Sequence, residues 1–196
     1  MWKIESELQN EGFKYICGVD EAGRGPLAGP VYAAAVILPF KAQIPGLNDS
    51  KKLSAAKRED LYKTIIETAV SYAVASADHK EVDEINILNA TYLAMNRAIE
   101  ALSVQPSISL IDGNRNSGIT FLSRCIIGGD GISASIAAAS ILAKVSRDRY
   151  MIEISKKFPE YVFEKHKGYG TKQHYEKLRE YGPSEIHRVS FLKRLK

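Results

Sequence analysis

Polar and apolar residues alternate along this chain in two rhythms, and the switches between them divide it into elements. Short apolar runs closed by glycine or proline predict strands over 14–20, 31–38, 71–77, 107–111 and 121–127. The run Val31–Leu38, stopped by Pro39, reads as a buried strand. Stretches with apolar residues three or four apart predict helices: a short one before Gly12, then 55–69, 86–103, 133–157, and a last one from Thr171 to Gly182. Ser54 and Thr171 are suitable N-caps. In 86–103, Leu88, Tyr92, Met95, Ile99 and Leu102 follow a 4-3-4-3 spacing, and Leu61, Ile65 and Ala69 repeat every four. Both stripes should face a core. The small residues that open 133–157 allow that helix to pack closely on a sheet.

Connection lengths give a topology. The link between the first two strands is short, so they should pair antiparallel. The strand at 71–77 reads as an edge, and the one at 107–111 is reached through a helical crossover, which makes it parallel to a neighbour. Sites in such sheets lie beyond the carboxyl ends of the strands. Asp112, which the fourth strand delivers, should therefore fall beside Asp20 at the end of the first. If the fourth strand lies between the first and fifth, Cys17 and Cys125 are about 9.6 Å apart, beyond the roughly 7 Å reach of a disulfide. Free thiols are expected.

Composition narrows the setting. With 196 residues, 45% of them hydrophobic and 26% charged, the chain suits one globular domain with a real core. No apolar stretch approaches the roughly 20 residues that cross a bilayer. The N-terminal residues carry acids where a secretion signal would be apolar, so a cytoplasmic protein is expected. The net charge of +4 hides a division: residues 144–196 hold 14 of the 27 Lys/Arg but only 7 of the 23 Asp/Glu. A basic last quarter is either solvated surface or a polyanion-binding face. The acids ahead of it suggest a polyanion held through metal ions.

The chemistry concentrates in Gly-Val-Asp-Glu-Ala-Gly-Arg-Gly-Pro-Leu-Ala-Gly-Pro-Val, residues 18–31. A regular strand would point Asp20 and Glu21 to opposite faces. The Gly-rich turn that follows is expected to bend the chain and re-aim Glu21. Adjacent acids are either a solvated turn or a cation site. Gly23-Arg24-Gly25-Pro26 favours the second, because open backbone beside an arginine suits close approach to a phosphate or sugar.

Other residues stay two-sided on their own. Asp112-Gly113 is also an ordinary turn signal, Asp130 and the pair Asp83-Glu84 would each complement the dipole of the helix that follows, and Lys51 and Lys52 are either solvated or placed for phosphate. Asp148 lies about five helical turns beyond Asp130, roughly 27 Å, too far to share a site, and is expected in structural pairing. Tyr169, between two glycines, should be exposed and suits stacking on a sugar or base. His166, His174 and His187 are expected to hydrogen-bond rather than do chemistry.

Taken together, the chain resembles the type 2 ribonucleases H, the ribonuclease HII family, over nearly its whole length. Five motifs in order carry the resemblance: residues 18–31 above, Asp-Ser-Lys-Lys-Leu-Ser (49–54), Ile-Asp-Gly (111–113), the run 129–148 from Gly-Asp-Gly-Ile-Ser-Ala-Ser to Lys-Val-Ser-Arg-Asp, and His-Lys-Gly-Tyr-Gly-Thr (166–171). Only 17 residues precede the first motif, which favours type 2 over the N-terminally extended type 3 enzymes. Position 132, Ile, departs from the basic residue often found there.

The resemblance implies an α/β, ribonuclease H-like fold: a five-stranded mixed sheet of order 3-2-1-4-5 flanked by helices, with a C-terminal helical extension. It implies a single catalytic domain, with a core over about 1–158 and a basic helical segment over about 159–196. Asp20, Glu21, Asp112 and Asp130 match the family's catalytic, metal-binding carboxylates. Gly23, Arg24 and Gly25 match its contacts to the ribose 2′-hydroxyl, Lys51 and Lys52 its phosphate contacts, and Tyr169 its contact to the sugar of the following deoxynucleotide. Two divalent ions, Mg²⁺ or Mn²⁺, are implied. So is a monomeric endonuclease of DNA replication and repair that cuts the RNA strand of RNA–DNA hybrids and the 5′ side of ribonucleotides embedded in duplex DNA, leaving 3′-hydroxyl and 5′-phosphate ends. Two readings compete: another two-metal nuclease of the same fold, indifferent to ribonucleotides, and a non-catalytic nucleic-acid-binding module, whose affinity acids near phosphates would weaken.

Overall fold

The computed structural model describes residues 1–47 and 53–192. Its strands are β1 (Ile16–Ala22), β2 (Val31–Ile37), β3 (Ser71–Ala77), β4 (Ile108–Asp112) and β5 (Ser123–Ile126). The helices are α1 (Lys3–Asn10), α2 (Ala55–Thr68), α3 (His79–Glu100), α4 (Ala134–Ser155), α5 (Phe163–His166) and α6 (Lys172–Tyr181). The strands form one sheet in the order β3-β2-β1-β4-β5, the ribonuclease H-like arrangement. β2 runs antiparallel to β1 and β3, whereas β4 runs parallel to β1 and β5. Connection length accounts for the two pairings of β1: the β1–β2 link turns back directly, while β4 is reached through α3. β3 is an edge, and β4 separates Cys17 from Cys125, both free thiols.

Residues of β1 and β2 alternate between two cores. Cys17, Val19, Ala33 and Ala35 pack with Ala90, Met95 and Ile99 of α3. Ala34 and Val36 face the other way, onto Leu61 and Ile65 of α2 and onto Ala138, Ile141 and Leu142 of α4. α4 begins hard against β1: a Cβ on Gly18 would lie 2.0 Å from the Ser135 carbonyl carbon, so the approach requires a residue without a side chain. Among the described residues, no helix is long and apolar enough to cross a membrane.

The helices begin where their caps dictate. Ser133 and Thr171 accept from the Ile136 and His174 amides to start α4 and α6, and Ser54 accepts from Lys57 to start α2. α3 starts earlier than the predicted residue 86, because Asp78 and Glu81 form a capping box. Asn86 then breaks it (φ 65°, ψ 164°), and its side-chain oxygen accepts from the Leu88 and Asn89 amides. Position 86 is thus a restart rather than the first turn. Asp83 consequently does not serve a helix start; it accepts from the Val189 and Ser190 amides at 2.8 and 2.9 Å and ties down the last described turn. The predicted fifth strand shrinks to β5 at both ends.

The C-terminal segment has its own small core of Tyr161, Phe163, Leu178 and Ile186, which closes on Leu27, Ala28 and Met151. It thereby packs directly behind the loop that follows β1.

Candidate active site

Parallel pairing of β1 and β4 sets Val19 opposite Ile111, so the next residues, Asp20 and Asp112, come side by side where that pairing ends. Asp130 reaches the same point from a short turn, Gly129–Gly131, just before α4. The Gly129 amide donates to Asp112 Oδ1 at 2.7 Å, which locks the turn to the strand end. One carboxylate oxygen from each of the three aspartates lies within 4.8 Å of the other two. Asp20 and Asp130 are buried and Asp112 is half-buried. Burial first, then the charges of Glu21 and Asp112, hold the Asp20 pKa well above the usual carboxylate range, against hydrogen bonds from the Ser140 side chain and the Glu21 amide. An all-oxygen donor set whose members repel one another suits a hard divalent cation.

Glu21 is not among the three converging acids. β1 stays paired through Ala22, with Glu21 opposite Ala33, so the expected bend that would re-aim Glu21 does not occur. Strand alternation sends its side chain to the face opposite Asp20, and Oε1 there meets Arg24 Nη1 at 3.2 Å. It still reaches the rim. A cleft of about 220 Å³ is lined by Asp20, Glu21 and Asp112 together with Arg58, Ser140, Lys144 and Tyr169. Glu21 also lines a second cleft of about 250 Å³ with Arg24, Leu88 and Arg115.

In the loop after β1, Gly23 and Gly25 are glycines for different reasons. Gly23 has φ 96°, and a Cβ there would fall 1.9 Å from Arg147 Nε. Gly25 has no left-handed φ, and its Cβ would make only an ordinary 3.7 Å contact with the Tyr169 ring. Packing within the chain therefore excludes a side chain at 23 and tolerates one at 25, which is exposed.

Two arginines at 1% and 0% exposure, Arg147 and Arg188, support this loop from behind. Arg147 donates to the carbonyls of Ala28, Pro30 and Lys167. Arg188 donates to those of Gly23, Arg24, Pro26 and Gly29. Burial, and for Arg188 also the charge of Arg147, lowers both pKa values, that of Arg188 to about 9, which leaves the guanidinium charged at neutral pH.

Tyr169 is 43% exposed, its ring 5.8 Å from the Arg147 guanidinium. Its carbonyl is the end of a buried histidine chain. The Ser184 amide donates to His187 Nδ1, leaving His187 Nε2–H to donate to His174 Nε2, and His174 Nδ1–H to donate to the Tyr169 carbonyl. His166 stacks on His174 at 4.5 Å and bonds the Tyr161 carbonyl and the Gly168 amide. These partners suit neutral rings, and burial lowers the pKa values of His174 and His187 to about 4. The hydrogen bonding expected of all three is present.

Of the sequence-predicted site residues, Asp20, Asp112 and Asp130 converge; Glu21, Gly23 and Tyr169 share a cleft with Asp20 and Asp112, Arg24 lines the second cleft with Asp112, and Gly25 lies against Tyr169. Lys51 and Lys52 lie outside the described residues. Asp148 pairs with Lys144 at 2.8 Å, as expected of a structural acid. Sequence reasoning passed over Arg58, Ser140, Lys144, Arg147 and Arg188. Arg147 did carry a signal: it stands four residues from Ala143 and from Met151, on the buried face of α4.

A family model described as Ribonuclease HII matches residues 17–194. A ribonuclease HII of Caldicellulosiruptor bescii is 60% identical over 99% of this chain and 94% of that protein. Another, of Caldicellulosiruptor saccharolyticus, is 56% identical over 99% and 95%. The crystal structure of ribonuclease H2 from Pyrococcus horikoshii superposes with a TM-score of 0.74 at 27% identity, covering 90% of this chain and 93% of that one.

Proposed function

The chain belongs to the ribonuclease HII family and is a ribonuclease H; on that premise we propose that it cuts the RNA strand of RNA–DNA hybrids and the 5′ side of ribonucleotides embedded in duplex DNA. The observation that carries the reading is the meeting of three aspartate oxygens, two of whose carboxylates, Asp20 and Asp112, line a cleft together with Tyr169. Asp20, Asp112 and Asp130, with Glu21 at the rim, are the residues we assign to divalent metal, and their oxygen-only donor set fits Mg²⁺ or Mn²⁺. Two such ions, when bound, would activate a water and stabilise the leaving 3′-oxygen of an in-line displacement.

The remaining roles belong to the chain itself. The exposed backbone of Arg24 and Gly25 approaches the ribose, where a 2′-hydroxyl is the group that separates RNA from DNA. Arg58 and Lys144 offer positive charge to phosphates along the cleft wall, and Lys51 and Lys52 are assigned the same task. Tyr169 stacks on the sugar after the cut, which favours a step from ribonucleotide to deoxynucleotide. In this reading the protein works as a monomer in the cytoplasm and leaves 3′-hydroxyl and 5′-phosphate ends.

The test is a DNA duplex carrying one ribonucleotide, with the all-DNA duplex as control. Cleavage 5′ of the ribonucleotide in Mg²⁺, none in EDTA and none of the control is the expected result. Cleavage of the control would favour a ribonucleotide-indifferent nuclease; intact binding without cleavage would favour a binding module.

A further inference from the structure

Behind the loop of residues 23–30 lies a charge that takes no part in the reaction. The fully buried Arg188 guanidinium donates to four carbonyls of this one loop: Gly29 from Nε at 2.8 Å, Arg24 and Pro26 from Nη1 at 3.0 and 2.9 Å, and Gly23 from Nη2 at 2.7 Å. Arg147 takes Ala28 and Pro30, and the Leu27 carbonyl accepts the Arg188 amide. Seven of the loop's eight carbonyls are thereby committed to these two arginines.

That commitment orients the other half of each peptide. All peptide bonds of the described chain are trans, and a trans peptide points its N–H opposite to its C=O. With the Gly23 and Arg24 carbonyls aimed at Arg188, the amides of Arg24 and Gly25 point away from it. Both residues are exposed, and among the described residues neither amide has a main-chain acceptor. A guanidinium suits this task because its donors form a rigid planar fork; a lysine ammonium is a point charge with three donors.

We propose that Arg188 is a positioning residue for ribonucleotide selection: it holds the loop so that the Arg24 and Gly25 amides form a fixed pair of donors facing the sugar and phosphate at the cut. Arg147 backs it, and by bonding the Lys167 carbonyl it ties the same loop to the turn that carries Tyr169. The proposal rests on the ribonucleotide-dependent cleavage put forward above and adds what enforces it from behind.

The test compares the full chain with Arg188→Lys in Mg²⁺, on the duplex with one ribonucleotide and on the all-DNA duplex, beside Mn²⁺ binding by calorimetry without nucleic acid. If the parent does not discriminate between the duplexes, the underlying reading fails and this inference with it. Given discrimination, Arg188→Lys should lose about a hundredfold in kcat on the ribonucleotide duplex, since displacement of about 1 Å at a site has that scale. Its Mn²⁺ affinity should stay within about twofold, because the metal ligands are untouched. A kcat within about threefold of the parent, or Mn²⁺ affinity falling in step with kcat, overturns the inference alone. A second measurement needs no variant: in isotope-labelled parent with Ca²⁺, the Arg24 and Gly25 amide resonances should shift more with the ribonucleotide duplex than with DNA. Equal shifts would refute the proposal even if Arg188→Lys did not fold.

Discussion

The aspartate cluster and the arginine pair behind the loop both bury several charges of one sign, and they handle the cost in opposite ways. Asp20, Asp112 and Asp130 face one another, and the Asp20 pKa rises accordingly. Arg147 and Arg188 are embedded among main-chain carbonyls, whose dipoles stabilise each guanidinium, with Asp148 and Asp83 adding negative charge nearby. Such carbonyl contacts satisfy donors one by one, three from Arg147 and four from Arg188, all within the chain. Repulsion among the aspartates is eased by the Gly129 amide at Asp112 and by the raised pKa of Asp20, and a bound cation would relieve it further. The acidic region is therefore built to be finished by something outside the chain, and the basic one is built to be finished within it.

The sharpest way to break this comparison is Asp130→Asn. It should lower cleavage by about a thousandfold or more, as loss of a principal electrostatic group at a reacting centre does. Near-normal turnover in Mg²⁺ would remove the metal assignment. Stability should divide the two regions by sign. Asp20 has a raised folded pKa, so its ionised form opposes folding at neutral pH. In urea with EDTA, Asp20→Asn should gain roughly 1–2 kcal/mol. Arg147→Ala should lose about 3 kcal/mol in the same assay, from the cavity and from carbonyls left without donors. Equal signs would defeat the distinction.

Acid should then expose the histidine chain. His174 and His187 have depressed folded pKa values of about 4, against an ordinary 6.5. Their contribution is complete above pH 6.5 and lost as pH falls toward 4, because the unfolded chain takes up protons that the folded chain refuses. Unfolding free energies from urea titrations of Asp20→Asn, which removes the carboxyl shifted the other way, should decline across that window by about 3 kcal/mol for each ring. A flat profile would mean that the rings are not held neutral. The smallest effect is Tyr169→Ala, which should cost about tenfold more on a lone ribonucleotide in DNA than on a long hybrid, given the strength of one stacking contact. Matching losses on both substrates would count against a junction role.

Much of the fold was legible before any coordinates. Connection lengths gave the antiparallel pairing of β1 with β2 and the parallel sense of β4, and strand ends placed Asp20 beside Asp112. The unread parts have physical causes. α3 was started at 86 because periodic apolar residues begin there, while the earlier segment depends on a local capping box at Asp78. Glu21 was expected to turn with the glycines, but pairing with β2 holds the strand straight through Ala22.

By itself the sequence determined where chemistry sits at element ends: acids closing β1 and β4, an acid just before α4, and glycines where backbone must be bare. These are local consequences of period, pairing sense and capping, all written in residue types. Tertiary structure alone decided that Glu21 stands aside from the three aspartates and that Arg188 reaches back 165 residues to hold Gly23. The reason is chemical. Its partners there are main-chain carbonyls, which every residue carries, so no pattern of residue types along the chain announces them.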